Sequence, residues 1–207
     1  MNTYTFYDGN TGQIILNYSG TQIDQMALHY TTLSYIEGSF EADLYYIENG
    51  TAASKLVKPS KYHEFNYSTK VWEITPAKLD FIKSRVKQQI ADRADSIHLS
   101  PIVYDNKTLD ANEIAQQNIL GKISQLQNEI ALNITSTNLF WKDHDNVIHT
   151  WTDATIYLTW LQGLQVAIAS RRSSLYSISW TGKTAVDALT TYDEVSNYSI
   201  DTLFTGI

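Results

Sequence analysis

Residues 36–50 read IEGSFEADLYYIENG and place four carboxylates, Glu37, Glu41, Asp43 and Glu48, on one short stretch. Glycoside hydrolysis needs two carboxyl groups facing each other across a sugar, an arrangement that linear order does not establish. A calcium loop needs alternating Asp/Asn ligands, a central Gly and a terminal Glu, and the order E-G-x-x-x-E-x-D lacks them. Acidic residues interleaved with Tyr on short strands read instead as solvent-facing scaffold. The second candidate is WKDHDNVIHTW, residues 141–151. If Asp145 and Asn146 form a two-residue turn, Lys142 pairs with His149 and His144 with Val147, which puts His144 and His149 on one face. Two imidazoles beside Asp143 or Asp145 have the chemistry of a zinc site. Lys142 on the same face would oppose the ion, so no metal is expected. The chain has no G-x-S-x-G elbow, Walker loop or G-x-G-x-x-G, and His29, His63 and His98 are scattered among serines without a recognisable order. The sequence therefore predicts no catalytic residues, no cofactor and no enzymatic activity.

Composition narrows the partners. The 207 residues are 43% hydrophobic, contain no Cys and carry a formal net charge of -7. Thiolate metal sites and disulfides are excluded, and one sizeable domain or two small ones can form a core. By segment, residues 1–60 hold 2 basic and 6 acidic side chains, 61–100 hold 7 and 5, and 101–207 hold 6 and 11. The only basic stretch is thus about +2 and lies on one expected helix, which predicts no nucleic-acid binding. No apolar run approaches a membrane span, so no membrane insertion is expected. The opening MNTYTFYDG lacks a cationic segment followed by an apolar run, so no secretory leader is expected.

The elements that must position these residues change character at Thr75-Pro76. Before it, YTFYDGNTGQIILNY has a hairpin pattern, Gln22 to Tyr30 a short helix, and Thr32 to Ile36 and Leu44 to Ile47 strand character. After it, Leu79, Ile82, Val86 and Ile90 recur at helical spacing behind a Thr cap and a first-turn Pro. The sequence thus predicts an α+β protein: a β-rich N-terminal module over 1–74, a connecting amphipathic helix over 75–96, and a mainly helical region over 97–207 with one β-hairpin near 139–151. In LDANEIA, Asp110 and Glu113 suit a capping box, with Leu109 stapled to Ile114. Beyond it, Ile119, Ile123, Leu126 and Ile130 are spaced 4, 3 and 4 and build a narrow apolar seam. The seam is expected to be buried, against another helix of the chain or in a homo-oligomer. A further helix opens at Thr152-Asp153 and carries Ile156, Tyr157, Trp160, Leu161, Leu164 and Ile168 toward Arg171-Arg172, with Gly163 as a mild defect.

The order of these motifs resembles a family from the tail-fibre regions of tailed bacteriophages. YDGNTGQI comes first, then YIEG and YYIENG, a Pro-containing linker, and the aromatic FNYSTKVW of Phe65 to Trp72. A charged helix follows, with the pair Asp92-Arg93 near its end. The remainder is similar to a domain of unknown function common in such genes: a helix opened at Asp110, a W-x-x-x-D-N hairpin at Trp141 to Asn146, and a long helix with Lys183 near its end. The resemblance reaches to about residue 189. Trp141 is followed by Lys where the family has Thr, and the long helix is not Ala-rich. The resemblance implies a structural component of the virion tail, a fibre or baseplate connector whose partners are other tail or tail-fibre proteins. A tail-fibre assembly chaperone is the alternative it leaves open, and a glycan-binding or glycan-cleaving tail module is a minor one. No catalytic residues are established for that family, so none carries over.

Overall fold

The computed structural model describes residues 2–206, and the fold is α+β. The chain divides into two compact units, Met1–Asp80 and Phe81–Ile207.

In the first unit, β1 (Asn2–Asp8) pairs antiparallel with both β2 (Ile14–Gly20) and β3 (Leu33–Glu37). Phe6 is buried on this central strand against the rings of Tyr30 and Tyr35. The buried Thr5 hydroxyl accepts from the Phe40 N–H at 3.1 Å and donates to Asn17 Oδ1 at 2.5 Å, so no polar group is stranded there. The Asp8 carboxylate accepts from the N–H groups of Asn10 and Thr11 and fixes the turn into β2; these bonds hold its pKa below the usual carboxylate range. The short helix α1 (Ile23–His29) buries no residue. Two further hairpins follow, β4 (Tyr45–Glu48) with β5 (Thr51–Ser54), and β6 (Glu64–Asn66) with β7 (Val71–Glu73). Asn49 and Gly50 both take positive φ in the two-residue turn, the geometry that matches strand twist in a tight hairpin. Rings of Phe65, Tyr67 and Trp72 surround the Lys55 ammonium at 4.7 to 5.7 Å, a cation–π arrangement that packs this small unit around a charge.

Helix α2 (Pro76–Leu99) starts at the proline, with Thr75 Oγ1 accepting from the Lys78 N–H. Its buried residues Ile82, Val86, Ile90 and Ala94 are four apart and lie in the second unit. There follow the hairpin β8 (Ile102–Tyr104) with β9 (Lys107–Leu109), helix α3 (Glu113–Ala131), the hairpin β10 (Phe140–Lys142) with β11 (Ile148–Thr150), and helix α4 (Ala154–Ala188). The β8–β9 hairpin, turned at Asp105-Asn106 with both φ positive, is an element that the sequence reading did not assign. Helix α4 runs unbroken through the tract after Ser173, with Asp153 as its cap accepting from Thr155 and Ile156. A short α5 (Tyr192–Ser196), closed by a capping box between Thr191 and Glu194, and a 3₁₀ turn at Asp201–Phe204 bury Val195 and Phe204. No helix among the described residues is long and apolar enough to cross a membrane.

The buried positions of α4 are Tyr157, Leu161, Leu164, Ile168, Leu175, Ser179, Gly182 and Val186. They keep a 3–4 alternation with one gap, between Ile168 and Leu175, where Arg171 stands. Against the first half, α3 contributes Ile119, Ile123 and Leu126 to one core with Tyr157, Leu161, Leu164 and Ile168. Against the second half lies α2: Lys87 Nζ is 2.7 Å from Asp187, Lys83 donates to the Asp187 carbonyl, and the Ile90 side chain approaches Gly182. Two shorter helices therefore cover successive halves of one long helix.

The seam ends earlier than its spacing predicts. Ile119, Ile123 and Leu126 are 1%, 7% and 0% exposed, but Ile130 is 37% exposed, because it lies one residue from the end of α3. The start of α3 also differs: its cap is Asn112, whose Oδ1 accepts from the Ala115 N–H at 2.9 Å, and Asp110 does not cap it. Leu109 is buried and Ile114 is exposed, so that staple does not form. Gly163, unfavourable by helix propensity, sits where the Tyr104 hydroxyl would be 2.1 Å from a Cβ, which is the packing reason for it.

Candidate interaction site

The four carboxylates Glu37, Glu41, Asp43 and Glu48 are all exposed on the first unit. The histidines of the β10–β11 hairpin do not converge. Its register pairs Trp141 with His149 and Lys142 with Ile148, one step from the register that a two-residue turn would impose. The cause is Asp143, whose carboxylate accepts from the Val147 N–H and whose own N–H donates to the Val147 carbonyl, closing a five-residue loop. A one-residue slip exchanges the faces of a strand. His144 consequently meets Asp110, Nδ1 to Oδ1 at 2.6 Å, while His149 Nε2 lies 2.8 Å from Asp143. The hydrogen bond to Asp110 raises the His144 pKa, and the hydrogen bond to His149 lowers that of Asp143. Each imidazole thus anchors a loop; no group of three or more His, Asp or Glu suited to a metal ion occurs among the described residues. Tyr157 fastens the same hairpin to α4 through its hydroxyl, which donates to the Phe140 carbonyl at 2.6 Å, and burial pushes its pKa up to about 12.

The hairpin and α3 border the largest recess, of 680 Å³, past Gln117, Gln125, Trp141 and Lys142; smaller ones lie at the gap in the α4 seam. The end of α2 and the start of α3 meet there. Arg171 reaches across and donates to the carbonyls of His98 at 2.7 Å, Ser100 at 2.6 Å and Pro101 at 3.1 Å. The final carbonyls of a helix lack intrahelical donors and carry partial negative charge, so a guanidinium is well matched to them. Arg171→Met should remove those bonds and destabilise this unit by about 2 kcal/mol. Arg172→Met, whose side chain makes no such bonds, should fall within about 0.5 kcal/mol of wild type. Thermal melts of the two variants side by side check this; equal losses would contradict the clamp.

Around the clamp are three recesses that share His98 and Arg172, the third, of 250 Å³, bordered by Asp95, Leu99 and Glu113. The first, of 150 Å³, has Ile119, Leu120, Ile168 and Ala169 as its apolar wall and Gln116 and Gln165 at its polar edge. The second, of 210 Å³, runs along the α2–α4 crevice past Ala91, Ala94, Tyr176 and Lys183. Burial, then the charges of Arg172 and Arg171, lower the His98 pKa and favour the neutral imidazole. Its Nδ1 is buried without a hydrogen-bond partner. No ion pair or hydrogen bond engages Arg172 or Lys183 among the described residues. Tyr176 and Trp180, 70% and 66% exposed, continue the row that Arg172 begins at intervals of four along α4. In the sequence Arg171-Arg172 reads only as a helix end, and neither Tyr176 nor Trp180 stands out. The i, i+4, i+8 order Arg-Tyr-Trp on a polar face was the available signal.

No curated protein and no solved structure matches this chain. Residues 81–200 match a family described as a domain of unknown function, DUF4376. That match begins where the second unit begins and takes in α2 from Phe81 through α5, with the clamp, the three recesses around it and the Arg172–Trp180 row. Because it spans more than half of the sequence, the chain belongs to the DUF4376 family.

Proposed function

We propose that the protein is a non-enzymatic structural component of a bacteriophage tail, a fibre or baseplate connector that works by protein–protein assembly. The assembly part is carried by the exposed row of Arg172, Tyr176 and Trp180, which borders the packed face of α4. Trp, Tyr and Arg are the residues that most often anchor protein interfaces, since each combines a large contact area with a polar handle. The tail assignment is supported by the motif order from YDGNTGQI through FNYSTKVW to WKDHDN. Mass spectrometry of purified phage particles tests it: the chain should be present in mature virions at a fixed ratio to the fibre protein. Absence from virions would overturn the reading, and if fibre solubility then depended on co-expression of this chain, the assembly-chaperone role would replace it.

A further inference from the structure

We propose that the crevice between α2 and α4 docks an acidic, apolar-faced segment of a partner protein, with a carboxylate at Arg172 and apolar side chains on Tyr176 and Trp180. This deepens the assembly reading and rests on it.

Size comes first. Small-molecule sites usually enclose about 300–1,000 Å³. The recesses that hold Arg172, of 150, 210 and 250 Å³, fall below that range and are closer to the volume of single side chains. With the 380 Å³ recess at Trp180 they form a divided groove along α4 in place of one enclosed pocket, as anchor pockets do. A segment presenting residues at helical spacing could fill several at once.

Charge selects the occupant. The first two recesses hold two cations, Arg172 and Lys183, and one carboxylate, Asp95. His98 is held toward its neutral form and adds no charge. Glu113 joins Asp95 at the adjoining mouth beside Leu99, so the cationic part is confined to the α4 side. Farther along, Lys87 is already paired with Asp187, whereas Arg172 and Lys183 make no pair among the described residues. A guanidinium in a partly apolar recess has five donors to offer and suits a carboxylate in bidentate geometry.

Shape supplies the rest. Trp180 borders a further recess with Ser84, Lys87 and Gln88, continuing the crevice beyond Lys183. From Arg172 to Trp180 the row extends roughly 12 Å at 1.5 Å per residue, and counted from Gln165 at the edge of the first cavity the groove spans roughly 22 Å, about four helical turns. Buried neighbours Leu175 and Ser179 hold α4 in place behind it, so the aromatic pair is presented on a fixed support.

The test uses the full chain and two synthetic fluorescein-labelled peptides of four helical turns. One carries Glu and Phe at helical spacing; the other has Lys at every Glu position. Fluorescence anisotropy should show the Glu peptide binding at least about tenfold more tightly than the Lys peptide. Arg172→Glu should reverse that preference. Tyr176→Ala, which removes an exposed ring and leaves folding intact, should weaken the Glu peptide by about tenfold. Equal binding of the two peptides, or a Glu peptide indifferent to both substitutions, overturns the proposal. Sedimentation showing a wild-type dimer that dissociates in Trp180→Ala would also overturn it, by making a second copy the occupant. Presence in virions without peptide selectivity would remove this groove and keep the assembly reading; selectivity without presence in virions would do the reverse.

Discussion

Ile123→Asp is expected to unfold the helical unit, or to lower its melting temperature far more than any substitution on the α4 surface. Ile123 lies in the core shared by α3 and the first half of α4, with Leu126, Tyr157, Leu161 and Leu164 around it. Shortening a buried Ile to Ala removes about 2–5 kcal/mol. An unpaired carboxylate in the same place adds the desolvation of a charge. Whole-domain stability is about 5–15 kcal/mol, so this one change consumes most or all of it. Because the facing surface belongs to the same chain, the loss should be the same at every protein concentration, unlike an oligomer interface, whose stability falls on dilution. Ile130→Asp should be nearly neutral, since Ile130 lies at the exposed end of the seam. Thermal melts over a hundredfold concentration range separate the cases. A wild-type melting temperature that fell on dilution, with the Ile123→Asp loss tracking it, would place the seam between chains instead.

The second large effect is expected in the first unit, from Gly12→Ala. Gly12 has φ +77°, in the left-handed region, where an L side chain costs about 1–2 kcal/mol. A Cβ added there would also stand 2.0 Å from the Ile47 carbonyl oxygen, which is backbone and cannot rotate away. The same residue donates to the Asp8 carbonyl and accepts from the Ile47 N–H, so moving it breaks the link between the β1–β2 turn and the β4–β5 hairpin. Hydrogen exchange at the Phe6 and Ile47 amides should accelerate by orders of magnitude. Gly9→Ala is the matched control: its Cβ would meet only the rotatable Ser34 hydroxyl at 3.0 Å, and protection should be retained. Unchanged exchange in Gly12→Ala would show that the turn tolerates displacement.

The elements written into short stretches of sequence were legible from them. Pro76 behind Thr75 starts α2, Asp153 caps α4, and the aromatic hairpin around YDGNTGQI forms, because capping, proline geometry and turn preference each involve residues only a few positions apart. The α+β class followed from the change of period at residue 75. Where two local solutions competed, the tertiary structure chose. Asp110 and Asn112 are both good caps; Asp110, just past β9, is held by the hydrogen bond with His144, which leaves the helix start to Asn112. Asp145-Asn146 suits a tight turn; the Asp143 side chain closes a wider loop, and the one-step change of register sends His144 and His149 to different carboxylates.

The composition and motif order of this chain determined that it carries no thiol chemistry, that its second half is helical, and that an apolar seam runs along α3. Only the tertiary structure decided that α3 and α2 divide α4 between them, that Arg171 fills the gap where they meet, and that Arg172 beside it has no ion pair among the described residues. Periodicity reports which face of a helix is apolar but not which neighbour covers it. That choice depends on the summed burial of segments far apart in the chain, α3 and α2 each against its own half of α4, and the groove exists only once it has been made.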